Sequence, residues 1–298
     1  MGVTLSLLSM LCFGSNILLS RLAMAKMSIE LGFFVVLTVN ILFSALVFGV
    51  EFLFRTTPFV WHWKETGLFA IGGFVGTYLG RRFMFDMVRI LGPARSSVVH
   101  SSAPAFTLLL AWLLIGEKLG PYELGLMVLV ILGLWITQPQ EKKVATEHQP
   151  SRAALRKGIL VGLATILGFS LGNVFRGSAM HTWNEAVFGT IVASTAALLC
   201  QLAATRHWGD AWRAIVRSDR RGLWLYAACG IATGAGAMFV VSAMHFMEIS
   251  LAILVTHTTP LMIFPVSLFI FKNREGLTLR TAVGACMVLV GIALLALR

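Results

Sequence analysis

Charge is scarce in this sequence. Only 12% of its 298 residues are Asp, Glu, Lys or Arg, against about 25% in an ordinary soluble domain. That scarcity excludes a soluble globular fold. Mean hydropathy is +0.84, and apolar runs long enough to cross a bilayer core of about 30 Å recur along the chain. The runs are too long for strands of a transmembrane barrel, which alternate over about 10 residues. Cysteine is equally sparse: Cys12, Cys200, Cys229 and Cys286 lie singly inside apolar segments. Without a CxxC pair, neither a disulfide framework nor a zinc site is expected, and no cofactor or metal is expected at all. No Walker motif is present, which excludes ATP drive within the chain. The first run, from Val3, lacks a basic leader and a small-residue cleavage site, so it reads as a retained helix.

Acidic residues are the rarer charge, 13 against 24 Lys and Arg, giving a net charge of +11. In a soluble protein this balance would suggest nucleic acid. Here the basic residues flank apolar segments, so they read as topological signals and no nucleic-acid partner is expected.

What the sequence does contain is ten apolar spans, near residues 3–25, 31–53, 66–88, 93–115, 121–138, 157–179, 184–205, 222–244, 248–271 and 278–297. The longest polar link, "QPQEKKVATEHQPSRAALRK", divides them five and five. The expected organisation is therefore a first unit over 1–138, a linker over 139–156 and a second unit over 157–298. The halves echo each other. "GPARSSVVHSSAPAFTLLLAWLLIGEKLG" matches "EISLAILVTHTTPLMIFPVSLFIFKNREG", Pro104 aligns with Pro260, and Asn16 aligns with Asn173 at nearly the same offset. Five is odd, so the second unit must enter the membrane from the opposite side. The expected fold is all-α, ten transmembrane helices in two inverted five-helix repeats, with a site at the repeat interface.

Two spans carry the same break: "VVHSSAP" (Val98–Pro104) and "LVTHTTP" (Leu254–Pro260). An interior proline removes a helix hydrogen bond and clashes with the preceding turn, at about 3 kcal/mol or more. The plain alternative is a tolerated kink whose freed carbonyls, on His100 and Thr256, are satisfied by neighbouring hydroxyls such as Ser101, Ser102, Thr258 and Thr259. The functional reading uses the histidines, because ionisable groups inside a span usually face the bundle interior or water. Ser96, His100, Pro104 and Thr107 share one helical face, and Thr256 with Pro260 forms its echo beside His257. Pro104 and Pro260 are then hinges, and His100, Ser101, Thr256 and His257 line a cavity.

In the third span Tyr78, Arg82, Asp86 and Arg89 fall on one helical face while Arg81 points elsewhere. Arg82 and Asp86 can pair as i, i+4 neighbours. They form either a salt-bridged helix end at the interface or a substrate-holding pair, since arginine's planar fork suits carboxylate or phosphate. Arg176 is a lone cation deep in the sixth span. Glu117 and Glu248 read as helix-end charges, Glu248 at a favourable helix N-terminus.

"FGSN" in the first span, "SSAPAFTLLLAWLLIGEKLG" across the fourth and fifth, and "GACMVLVGIALL" at the end resemble the EamA-type transporters of the drug/metabolite transporter superfamily. The resemblance covers nearly the whole chain. The second copy departs from it in "FKNREG", which has two extra residues before Glu275. It implies ten helices, a cavity lined mainly by spans 1, 3, 4, 6, 8 and 9, and secondary transport of metabolites, in a bacterial inner membrane. By matching position it places Asn16, His100 and Pro104 near the cavity, and it implies both termini in the cytoplasm. The charge distribution opposes that last point. Nineteen of the 24 Lys and Arg follow odd-numbered spans, and the positive-inside rule then puts both termini outside.

The leading expectation is a secondary transporter for a small polar or amphipathic metabolite, amino-acid-like or an organic acid, exporting it or exchanging it for protons by alternating access. Asp86 and the two histidines are the titratable candidates. A monomer or homodimer in the lipid bilayer is expected. The alternative is a membrane-embedded enzyme acting on a lipid headgroup with His100 or His257 as base, but no second catalytic group converges on either.

Overall fold

A computed structural model describes residues 1–92, 96, 99–137, 152–205, 208–259, 261–262 and 279–296. The described elements are helical: α1 (Gly2–Met24), α2 (Ile29–Phe54), α3 (Trp63–Gly72), a π-helical segment (Gly73–Gly80), α4 (Arg81–Leu91), α5 (Ala103–Ile115), α6 (Pro121–Thr137), α7 (Arg152–Thr182), α8 (Ala186–Ala204), α9 (Trp208–Arg217), α10 (Arg220–Ala243), α11 (Ile249–Thr256) and α12 (Leu279–Ala296). Five of them, α1, α2, α7, α8 and α10, are each long and apolar enough to cross a membrane alone. α3, the π segment and α4 run on without a gap as the third span. Pro260, and the rest of the ninth span beyond Met262, lie outside the described residues.

The packing repeats under exchange of the halves. α1 packs along α10 as α7 packs along the third span, and α2 meets α10 as α8 meets the third span. α5 lies on α7 as α11 lies on α1, while α2–α8, α6–α12 and α5–α11 are pairs that map onto themselves. A pseudo-two-fold axis therefore relates the halves. Each half holds an odd number of spans, so the axis lies in the membrane plane and the repeats are inverted.

Glycine sets the closest approach. On the third span Gly72 and Gly76 face Gly168 and Gly172 of α7, backbone against backbone, and a Cβ on Gly172 would stand 2.6 Å from the Gly76 Cα. Gly73 presses on α8 in the same way, 2.1 Å from the Ala193 oxygen for an added Cβ. In a bilayer, where apolar transfer drives little helix association, such close packing carries the cohesion.

Three departures from the sequence reading follow from local chemistry. α7 begins at Arg152, so residues 152–156, read as linker, form its first turn. Residues 208–217, read as lying between spans, form α9, a short amphipathic helix that exposes Trp212 and Val216 one turn apart and packs Ile215 inward. The third span changes helical pitch at the glycine-rich π segment, which breaks the 3.6-residue phase on which its face assignment rested.

The two faces are clasped differently. On the face where α1 begins, Arg55 pairs with Glu185, and both side chains are nearly buried, at 13% and 11% exposure. On the opposite face the mate of this pair under half exchange, Lys26 with Asp219, stands 3.9 Å apart and is half-exposed.

Candidate functional site

The fourth span does not run as one kinked helix, and the kink expected at Pro260 lies outside the described residues. α5 begins at Ala103 with Pro104 in its first positions, after a turn at Ser101 and Ser102. Proline is tolerated there because the first amides of a helix have no intrahelical acceptor. Pro104 therefore starts a new helix where a bend in a continuous one was expected. In the second half α11 stops at Thr256 and the chain turns through His257, Thr258 and Thr259. The Thr258 hydroxyl donates to the Val255 oxygen at 2.6 Å, and the Thr259 hydroxyl donates to the Thr256 oxygen at 2.9 Å. The freed Thr256 carbonyl is thus satisfied locally.

The breaks bring the two histidines together. The rings of His100 and His257 stand 5.4 Å apart, and His100 meets Phe169 of α7 edge-on at the same distance. His257 Nδ1 contacts the Ile253 oxygen at 2.9 Å, whereas His100 Nδ1 is buried without a partner. Both residues lie deep in the fold yet keep accessible surface. Arg81 and Arg176 have the same combination of depth and residual exposure.

The other expected site residues divide around this centre. Asn16 accepts from Ser20 at 3.3 Å, and Ser20 in turn meets the Cys229 thiol at 3.4 Å. Arg81 lies within electrostatic reach of Cys229 and of His100, which joins this cluster to the histidines. Arg176 donates to the Gly72 oxygen at 3.1 Å and to the Thr77 hydroxyl at 2.9 Å, so it ties α7 to the third span. Ser101 is buried in the break, and the Thr256 hydroxyl donates back to the Ala252 oxygen at 2.9 Å. Asn173 is half-buried on α7. Tyr78 stacks on Phe74 beside the Phe33–Leu37–Ala197 cluster.

Arg82 and Asp86 need correction. Arg82 is exposed, and Arg81 faces inward with its guanidinium 5.3 Å over the Phe33 ring. The π segment lies immediately before them, so a face extrapolated from Tyr78 at α-helical spacing does not hold. Asp86 makes no described ion pair with Arg82; it lies 3.9 Å from Arg89 toward the span's end.

Sequence reasoning also missed what Glu117 does. Its carboxylate accepts the backbone N–H of Ile249 at 3.0 Å and of Ser250 at 3.2 Å, with the Ser250 hydroxyl as a third donor. A residue of the first half therefore caps the broken helix of the second, taking orphan donors at its N-terminus. Glu248, the local candidate, makes no side-chain cap bond. Beside this clasp lies an open cleft of about 650 Å³, lined by Lys118, His181, His245 and Phe246 among others.

The EamA-like transporter family model matches residues 1–138 and 156–297. No curated protein matches the chain. A solved structure titled "Crystal structure of protein" is similar at 17% identity, with a TM-score of 0.69, covering 99% of this chain and 98% of that one. That likeness concerns the fold alone. Two family matches, one on each inverted half, join a ten-span helical architecture, and the chain belongs to the EamA-like transporter family.

Proposed function

We propose that this secondary transporter moves a small polar or amphipathic metabolite, amino-acid-like or an organic acid, by alternating access between its two halves. One observation supports the reading: each half contributes a broken span, and the breaks bring the His100 and His257 rings to 5.4 Å with neither ring fully buried. A site built equally by inverted halves can be exposed to either face by rocking one half on the other. The tight Arg55–Glu185 clasp against the loose Lys26–Asp219 pair supports a state closed toward the face where α1 begins. His100 and His257 are the groups placed to take protons if transport is proton-coupled. Family membership sets aside the lipid-headgroup enzyme.

The test needs no substrate. His257→Cys, in a background lacking the four native cysteines, is labelled by an impermeant thiol reagent applied to either side of oriented proteoliposomes. The expected result is labelling from both sides. Labelling from one side only would contradict alternating access.

Both termini are placed outside the cytoplasm of a bacterial inner membrane in this reading, against the family analogy. It rests on eighteen Lys and Arg on the opposite side, the nineteen of the sequence count less the inward-facing Arg81. Ala145→Cys, in the central linker, should resist impermeant reagents in intact cells. Labelling there would reverse the assignment.

A further inference from the structure

The transport reading leaves the charge of the cargo open, and the surroundings of Arg81 supply it. Arg81 opens α4 immediately after the π segment and lies deep between the halves. Its Nε is buried and has no hydrogen-bond partner. No carboxylate among the described residues comes within ion-pair distance of it; the described pairs engage Lys26, Arg55, His62 and Arg89 instead. The described Asp and Glu residues lie toward helix ends or in loops. A buried cation with no counter-charge is costly, and a bare buried donor adds to that cost.

Nearby groups have the same deficit. His100 Nδ1 is a second buried nitrogen without a partner, within electrostatic reach of Arg81. The neighbouring cation, Arg176, also has a buried Nε without a partner, but its Nη2 is committed to Gly72 and Thr77. Arg81 has no such tie among the described residues, and its guanidinium suits one negative charge. Its walls are aromatic: Phe33 lies under the guanidinium with Phe85 edge-on at 6.2 Å, and Phe169 lies against His100. An apolar body can rest on these rings while a planar acid head takes the arginine fork.

We infer that the cargo is an amphipathic organic monoanion whose carboxylate is held by Arg81, with His100 beside it and its apolar part between Phe33 and Phe169. This rests on the transporter reading and adds the chemical class of its substrate.

The experiment compares three benzene-ring probes of similar size that differ in charge, benzoate, benzamide and benzylamine, by thermal shift of the full chain purified in detergent. Benzoate should raise Tm saturably, and the neutral and cationic probes should not. Arg81→Gln should abolish the benzoate shift, and Arg81→Lys, which keeps the charge but loses the fork, should weaken it roughly tenfold or more. Arg82→Gln should leave it intact. If Arg81→Gln does not fold, the comparison of Arg81→Lys with Arg82→Gln decides alone. Equal shifts from benzamide or benzylamine, no benzoate shift in the unsubstituted protein, or a full shift in Arg81→Gln or Arg81→Lys would overturn the inference. Two-sided labelling at residue 257 with no benzoate shift would overturn the anion site alone. One-sided labelling with an Arg81-dependent shift would overturn alternating access alone.

Discussion

Gly172→Ala should loosen the protein, and the contact geometry says by how much. The added Cβ would lie 2.6 Å from the Gly76 Cα, 2.9 Å from the Gly72 oxygen and 2.9 Å from the Gly76 nitrogen. All three are backbone atoms, so no side chain can swing away. To reach ordinary contact α7 and the third span must part by most of an ångström. Overpacking of this kind costs about 1–3 kcal/mol, and the loss is concentrated where close packing holds helices together in a bilayer. At roughly 2–4 °C per kcal/mol for a chain of 150–250 residues, Tm should fall by several degrees. The same shift would pull Arg176 from the Gly72 oxygen, so the interior cluster should also lose order. Gly67→Ala is the matched control: it lies on the same span with nothing within 4 Å of an added Cβ. There alanine should be neutral or stabilising by up to about 1 kcal/mol, because it is the better helix former. The assay is thermal unfolding of each variant in one detergent. A Gly172→Ala protein as stable as Gly67→Ala would refute the close-packed seam.

Two further substitutions probe the joins between the halves. Glu117→Ala removes the acceptor for two backbone N–H groups and the Ser250 hydroxyl, and should cost about 1–2 kcal/mol in the same assay, whereas Glu248→Gln should change stability by less than about 0.5 kcal/mol. A larger loss from Glu248→Gln would show that the local residue is the cap. Pro104→Ala should change stability by less than about 1 kcal/mol, because Pro104 occupies the start of α5. A gain near 3 kcal/mol, the cost of an interior proline, would show that the span is a continuous kinked helix.

The sequence displayed its architecture because apolar runs and their doubling are one-dimensional signals. The paired "HSSAP" and "THTTP" breaks marked the elements that meet on the pseudo-two-fold axis, and hydroxyl capping of the freed Thr256 carbonyl could be anticipated from Thr259. Arg81 faces inward and Arg82 outward, the reverse of the sequence expectation, for a definite reason. Helical phase is legible only while the pitch is constant, and nothing in "GFVGTYLG" announces a π segment except its glycines. The cap that Glu117 places on α11 joins residues 132 apart across the repeat interface, so no local pattern shows it. α9 was missed because "WGDAWRAIVR" is too short and too charged to read as a span, although its apolar residues one turn apart carry the signal of an interfacial helix.

The central claim is that the inverted halves rock about the histidine contact, opening one face as the other closes. Spin-label distances measure it directly, with one pair at Thr57 and Asn184 beside the Arg55–Glu185 clasp and another at Ser28 and Ser218 beside Lys26–Asp219, each pair in separate protein reconstituted in liposomes. Across changes of pH and added benzoate, conditions that lengthen the first distance should shorten the second, through two populations whose weights exchange. Distances that stay fixed in single populations, or that lengthen together, would contradict it.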